Sequence, residues 1–226
     1  MAGRDLVVGP VPVLIILPAS RPELPAARQG RAGPYDGAVP EQTPDAPPER
    51  IEAGPVIVRR VRASDAGAIA TAVGSSLEYL RPWMPWATPE AADRASQLAR
   101  VEELDHNWES GLGYVYSVLT ADRGTLVGEI ALHRRPADNS VEMGYWIAAN
   151  QAGQGYVTSA GKALTAVALA LPGVDRVEIH CDAANAASAA IARKLGYRLD
   201  RIEERHPETP GESGQLMIWV RRRLAH

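Results

Sequence analysis

Asn150–Gly161 reads NQAGQGYVTSAG: three glycines within nine residues, set between the apolar run GYWIA and an alanine-rich segment. This texture predicts a strand that turns tightly into a helix, because glycine accepts left-handed backbone and alanine favours the helix that follows. A turn of this kind aims unpaired backbone N–H groups at an anion. Two common phosphate cradles fail on spacing. The nucleoside triphosphatase loop requires Gly, four residues, then Gly-Lys-Ser/Thr; here five residues separate Gly155 from Gly161, and Lys162 is followed by Ala163. The dinucleotide fingerprint wants its third small residue where Thr158 stands, in a parallel unit near the start of its domain, which disfavours a dinucleotide.

Working outward, the loop follows the runs YVYSVLTA, TLVGEIALHR and VEMGYWIA, separated by DRG and PADNS. These read as an antiparallel meander. Downstream come a helix to about Leu171, a strand RVEIHCD, a helix NAASAAIARKLG closed by Gly196, and strands YRLDRIEE and QLMIWVRRR. Upstream, VIVRRVR opens the domain near residue 55, and ASDAGAIATAVGSS reads as a helix capped by Ser64. SLEYLRPWMPWATPE is a Trp- and Pro-rich connection, and PEAADRASQLARVEELDHNWESG reads as a helix with proline in its first turn that ends at Gly111. The order predicts an α/β fold of the α+β type, a mixed sheet with helices on both faces.

The 226 residues suffice for one well-buried domain plus an appendage, with 46% apolar and 23% charged residues. A net charge of −3 with scattered basic residues gives no electrostatic footprint for nucleic acid. Residues 1–55 have linker composition and are expected to be a disordered extension. Their apolar run LVVGPVPVLIILPA is broken by Pro10 and Pro12 and is too short to span a bilayer. Cys181, the single cysteine, rules out an intrachain disulfide and suits a reducing, cytoplasmic setting; it reads as a core residue. The five histidines lack metal-ligand spacing, and His133 and His180 read as core or surface strand residues.

Taken together, the strand, the Q-x-G-x-G loop and the later NAAS helix resemble the GNAT superfamily of N-acetyltransferases. Within it they are most similar to the RimJ/RimL-like branch of ribosomal-protein N-terminal acetyltransferases. GYWIAANQAGQGYVTSAGKAL is similar to the pyrophosphate segment, NAASAAIARKLGYRLD to the Asn-containing helix and its strand, and EYLRPWMPWA to the substrate-side connection. The likeness runs from about residue 56 to 223. It implies the GNAT fold: a central, mostly antiparallel sheet splayed between its fourth and fifth strands. It also implies acetyl-CoA as co-substrate, no metal, and an amine acceptor such as a protein N-terminus. No nucleic-acid or membrane partner is implied, and the chain is expected as monomer or homodimer.

On that resemblance the pyrophosphate contacts fall to Gln151, Ala152, Gly153, Gln154, Gly155 and Tyr156, with Thr158 as a hydroxyl donor. Asn150 stands where the family carries a basic or amide side chain. Backbone amides of Trp146, Ile147 and Ala148 would face the pantetheine arm and thioester, with Gly144 as a bulge site. Glu142 is the first candidate base and Glu129 the second, with Glu203 and Glu204 also on the acceptor side. The position of the family's usual tyrosine acid holds Ala192; in the RimL-like branch a serine three residues after the asparagine takes over, here Ser188 after Asn185. Asn185 would bond the pantetheine, or simply cap its helix with Ser188. Tyr79, Trp83 and Trp86 would border the acceptor pocket. A small-molecule amine acceptor, an acyl-CoA-binding module without transfer, and a ligand-free scaffold remain as alternatives.

Overall fold

Alternation in the middle of the chain builds the centre of the sheet, as successive strand side chains point to opposite faces. The structure, a computed structural model, describes residues 46–223, so LVVGPVPVLIILPA and most of the N-terminal extension lie outside the described residues. In chain order the elements are β1 (Arg50–Ala53), β2 (Val56–Arg60), α1 (Ala66–Gly74), α2 (Leu77–Leu80), α3 (Arg94–Glu109), β3 (Gly113–Thr120), β4 (Leu126–Arg135) and β5 (Ser140–Ile147). The second half adds α4 (Tyr156–Ala170), β6 (Arg176–Asp182), α5 (Ala186–Lys194), β7 (Arg198–Glu204) and β8 (Gln215–Arg222).

The eight strands run in the order β1-β2-β3-β4-β5-β6-β8-β7. Every neighbouring pair is antiparallel except β5 and β6, which α4 joins as a crossover. That parallel pair is short. It holds from Ser140↔Arg176 to Glu142↔Glu178 and then ends, while β5 stays in register with β4 as far as Gly128↔Ile147. The expected splay between the fourth and fifth strands of the sequence reading is therefore the gap between β5 and β6.

Each face has its own core. Tyr114, Tyr116, Ile130, Leu132, Val141 and Met143 point to the face covered by Leu164 and Ala168 of α4 and by Ala189 and Ala192 of α5. Val115, Ala131 and Trp146 point the other way, against Ile69 and Val73 of α1 and Val101 and Leu104 of α3. At the α4–α5 contact a Cβ on Gly161 would come within 2.9 Å of Leu195 Cδ1, so glycine lets the two helices approach.

Four local expectations change. The boundary near residue 55 falls inside a hairpin, since β1 pairs with β2 across Gly54, whose φ of +64° supplies the turn. Ser64 is not the cap of α1: the Asp65 carboxylate accepts from the Arg62 amide (2.9 Å) and the Ser117 hydroxyl (2.9 Å). Pro89 begins a separate short turn, and α3 is capped by Asp93, which accepts from Ser96 N at 2.8 Å. No bulge forms at Gly144, which sits opposite Ala131 in an unbroken β4–β5 register.

Candidate active site

The glycine loop and the splay meet at one end of the sheet. After β5 the chain makes a short turn over Ala149–Gln151, anchored by the buried Ser76, whose Oγ accepts from Ala149 N at 3.0 Å. Gly153 and Gly155 follow with φ of +79° and +80°, and α4 starts at Tyr156. A Cβ at either glycine would meet no neighbour within 4 Å. Their requirement is thus conformational, since left-handed backbone strains any side-chain-bearing residue. Ala152, Gly153, Gln154 and Gly155 are exposed, and Gln151, Tyr156 and Thr158 are half-buried. The first intrahelical bond of α4 runs from Ser159 N to Gly155 O (2.9 Å). The amides before it, at the positive end of a 15-residue helix, face outward without helical partners. Asn150 lies apart, exposed beside Thr71 and Ser75 at the end of α1.

Along β5 the three expected amides divide. Ala148 N donates to Val127 O at 2.8 Å, so that amide belongs to the β4 ladder. Alternation turns the Trp146 amide the same way and the Ile147 amide toward the side that β6 vacates. The Ala148 and Trp146 amides therefore belong to the sheet, contrary to expectation, and the Ile147 amide is the one of the three on the open side.

The opening holds two adjoining cavities. One of about 330 Å3 is bounded by Tyr79, Trp83, Tyr145, Ile147, Asn185 and Ser188. The narrower, about 80 Å3, shares Trp83, Tyr145, Asn185 and Ser188 and adds Trp86, Gly144, His180, Cys181, Asp182, Glu208 and Glu212. The aromatic residues of the Trp- and Pro-rich connection thus stand together as a wall, with Trp86 edge-on to Trp146 at 5.9 Å between ring centroids. The β7–β8 loop closes over them. Thr209 Oγ1 donates to Pro82 O (2.7 Å), and Gly211 N donates to the same carbonyl at 3.0 Å. Asp182 fastens this loop to the start of α5. Burial opposes its ionisation, yet donors from the Ser213, Ala184 and Gly214 amides and the Ser213 hydroxyl hold its carboxyl below the usual range.

At the start of α5 the Asn185 side chain accepts from Ser188 N at 3.0 Å, so the capping role is filled. The Ser188 hydroxyl is left for another partner and finds it across the cleft in the Tyr145 hydroxyl, 2.8 Å away. Burial raises the Tyr145 pKa, keeping the phenol protonated. Ala192, where the resemblance would place a tyrosine, is wholly buried in the core; a phenol reaches the same helix from β5 instead. Cys181 is buried as expected but also borders the narrow cavity, with burial raising its thiol pKa.

The carboxylates depart further from expectation. Glu129, 1% exposed, takes Arg100 on both oxygens (2.6 and 3.2 Å) and the Trp146 indole N–H on Oε2 (2.9 Å). It is a structural ion pair on the α3 side of the sheet, which withdraws it as a base. Glu142, also 1% exposed, sits where β5 and β6 still pair, bonded to Arg135 and outside the residues bordering either cavity; its Oε1 has no partner. Glu203 pairs with Arg201 on the exposed β7, and Glu204 is likewise exposed. The acidic residues that do border the cleft are Asp182, Glu208 and Glu212. His180 joins them, its Nε2 2.8 Å from Glu178 Oε2. That hydrogen bond, with Arg176, pulls the Glu178 carboxyl down to about 2. Strand alternation in RVEIHCD and VEMGYWIA carries this signal, because it puts Glu178, His180 and Asp182 on the same side as Glu142 and Gly144.

No helix among the described residues is long and apolar enough to cross a membrane. The model of the acetyltransferase (GNAT) domain matches residues 56–198. YdaF of Bacillus subtilis (strain 168), named as a ribosomal N-acetyltransferase, is 29% identical over 149 residues, covering 63% of this chain and 77% of its own. Among solved structures, RimL, a ribosomal L7/L12 α-N-protein acetyltransferase in complex with coenzyme A, matches with a TM-score of 0.71 at 19% identity. That match covers 77% of this chain and 98% of RimL. Mycobacterium smegmatis RimJ, in complex with CoA-disulfide, gives 0.67 at 22% identity over 74% and 81%. The microcin C7 self-immunity acetyltransferase MccE, with acetyl-CoA and AMP, gives 0.71 at 17% over 79% and 98%. With its family model spanning most of the sheet and both site helices, this chain belongs to the GNAT family and is an N-acetyltransferase.

Proposed function

We propose that the protein transfers the acetyl group of acetyl-CoA to the α-amine of a protein or peptide N-terminus, by direct attack within a ternary complex in the cytoplasm. The observation that carries this reading is the meeting of three elements at one end of the sheet. They are outward-facing amides at the glycine loop, the unpaired inner edge of β5, and the Tyr145–Ser188 hydroxyl pair. Coenzyme A presents a doubly charged pyrophosphate, a peptide-like arm and a thioester, and each finds a complementary group. The residues from Gln151 to Tyr156, with Thr158, would hold the pyrophosphate. Ile147 N would meet the arm or the thioester oxygen as negative charge develops on it. Ser188, backed by Tyr145, would donate a hydrogen bond to the departing sulfur. The wall of Tyr79, Trp83 and Trp86, with the narrow carboxylate-lined cavity, suits a small cationic amine at the end of an extended chain. The names of YdaF and RimL support a ribosomal-protein acceptor.

Free-thiol release, followed across N-terminal peptides, Nα-blocked lysine peptides and small amines, tests the reading. Turnover is expected with unblocked peptides. Preference for small amines would move the acceptor to that class, and acetyl-CoA binding without thiol release would favour a non-catalytic module. Ser188→Ala is expected to lower kcat at least about tenfold while leaving acetyl-CoA affinity within about threefold. An unchanged kcat would remove Ser188 from the mechanism.

A further inference from the structure

We propose that His180 is the proton acceptor for the attacking amine, held in its reactive tautomer by Glu178; this rests on the acetyl-transfer reading above. Three observations converge on it. His180 borders the narrow acceptor-side cavity together with Trp86 and Asp182, whereas Glu129 and Glu142 do not. Its Nε2 lies 2.8 Å from Glu178 Oε2, and an ionised carboxylate can only accept, so Nε2 carries the proton and the Nδ1 lone pair is free. Glu142 Oε2 stands 3.6 Å from Nδ1, too far for a hydrogen bond to the neutral ring but close enough to stabilise the imidazolium once Nδ1 is protonated. The arrangement follows the logic of a base oriented by a carboxylate, with a second carboxylate on its far side.

Arginines engage both carboxylates. Arg135, from the end of β4, engages Glu142, and Arg176, on the same strand as His180, donates to Glu178 at 2.6 Å. Arg201 of β7 also acts on Glu178. His133 stands opposite Glu142 on β4, and burial lowers its pKa, so it adds no charge near neutrality. Asp182 is consumed by its four donors, and Arg205 pairs with Glu212 in the loop above. Glu208, which is exposed, borders the same cavity.

In the step itself the amine nitrogen forms a C–N bond to the thioester carbon, and the proton it sheds passes to His180 Nδ1. The C–S bond breaks with its electron pair on sulfur. The thiolate is held by the Ser188 hydroxyl and takes up a proton, His180 releases its own to solvent, and the net products are one amide and one thiol.

The test compares pH–rate profiles of the full chain, His180→Ala, His180→Gln and Glu178→Gln, using acetyl-CoA and an unblocked peptide, with acetyl-CoA affinity measured in parallel. His180→Gln is expected to lower kcat about 100-fold, to flatten the rise of rate on the acid side, and to leave acetyl-CoA affinity within threefold. Added imidazole is expected to restore part of the rate of His180→Ala, which a packing role would not allow. Full kcat in His180→Gln, or a loss confined to the acceptor KM, would overturn the assignment. Should the His180 variants fail to fold, an unaltered pH profile in Glu178→Gln would overturn it as well. A wild-type chain that binds acetyl-CoA and acetylates no amine would instead sink the transfer reading and leave His180 without a reaction.

Discussion

Replacing Arg100 by alanine is expected to cost the fold about 3–5 kcal/mol, because it strands an ionised carboxylate in the interior. Arg100 is 6% and Glu129 1% exposed, and the guanidinium reaches both oxygens of its partner. Arg100 also donates to Gln97 Oε1 (2.9 Å), which in turn donates through Nε2 to Ala91 O (2.6 Å). One ion pair therefore ties α3 to the turn before it, to β4 and, through the Trp146 indole, to β5. The double change Arg100→Met, Glu129→Gln removes both charges and keeps an acceptor for the indole, so it is expected to recover most of the loss. Its acetylation rate per folded molecule should match wild type. Urea titrations and rates measured together decide the point. A loss under about 1 kcal/mol in the single variant would deny the pair its structural weight, and a rate collapse in the folded double variant would return Glu129 to the chemistry.

Gly128→Ala is the second large effect. A Cβ at this position would lie 2.2 Å from Trp146 O and 3.0 Å from Ile147 Cα. Both are backbone atoms of the strand beside the cleft and cannot rotate away, so β4 and β5 must separate. The cost is expected to be about 3 kcal/mol or more, the upper range for overpacking. The displaced atoms flank the Ile147 amide, so acetyl-CoA affinity should fall at least tenfold, about 1.4 kcal/mol, even at temperatures where the variant stays folded. Wild-type stability together with wild-type affinity would show that this close approach is dispensable.

Much of the architecture was legible because its signals are local. Apolar runs bounded by turn residues marked β3, β4 and β5, and glycines announced the turn before α4 and the end of α5. β1 was hidden because RIEA follows a run rich in proline and glutamate that reads as linker. Whether β7 or β8 lies next to β6 depends on pairing between segments far apart in the chain, which no local pattern encodes. The site divides along the same line. The glycine loop could be named from residue type and spacing, and Ser188 and the aromatic connection from the family resemblance that the motifs carry. Tyr145 and His180 could not, because their roles arise from which element stands opposite each of them. Glu129 and Glu142 look alike in sequence, two carboxylates on adjacent strands; only the structure shows Arg100 and Arg135 engaging them.

Calorimetric titration of the full chain with acetyl-CoA tests the central claim most directly, that the splay between β5 and β6 and the glycine loop form a coenzyme A site. A saturable one-to-one isotherm is predicted, weakened in Gly155→Val, where a β-branched side chain would be forced into left-handed backbone at the loop. The absence of saturable heat in the folded wild-type protein would contradict the account.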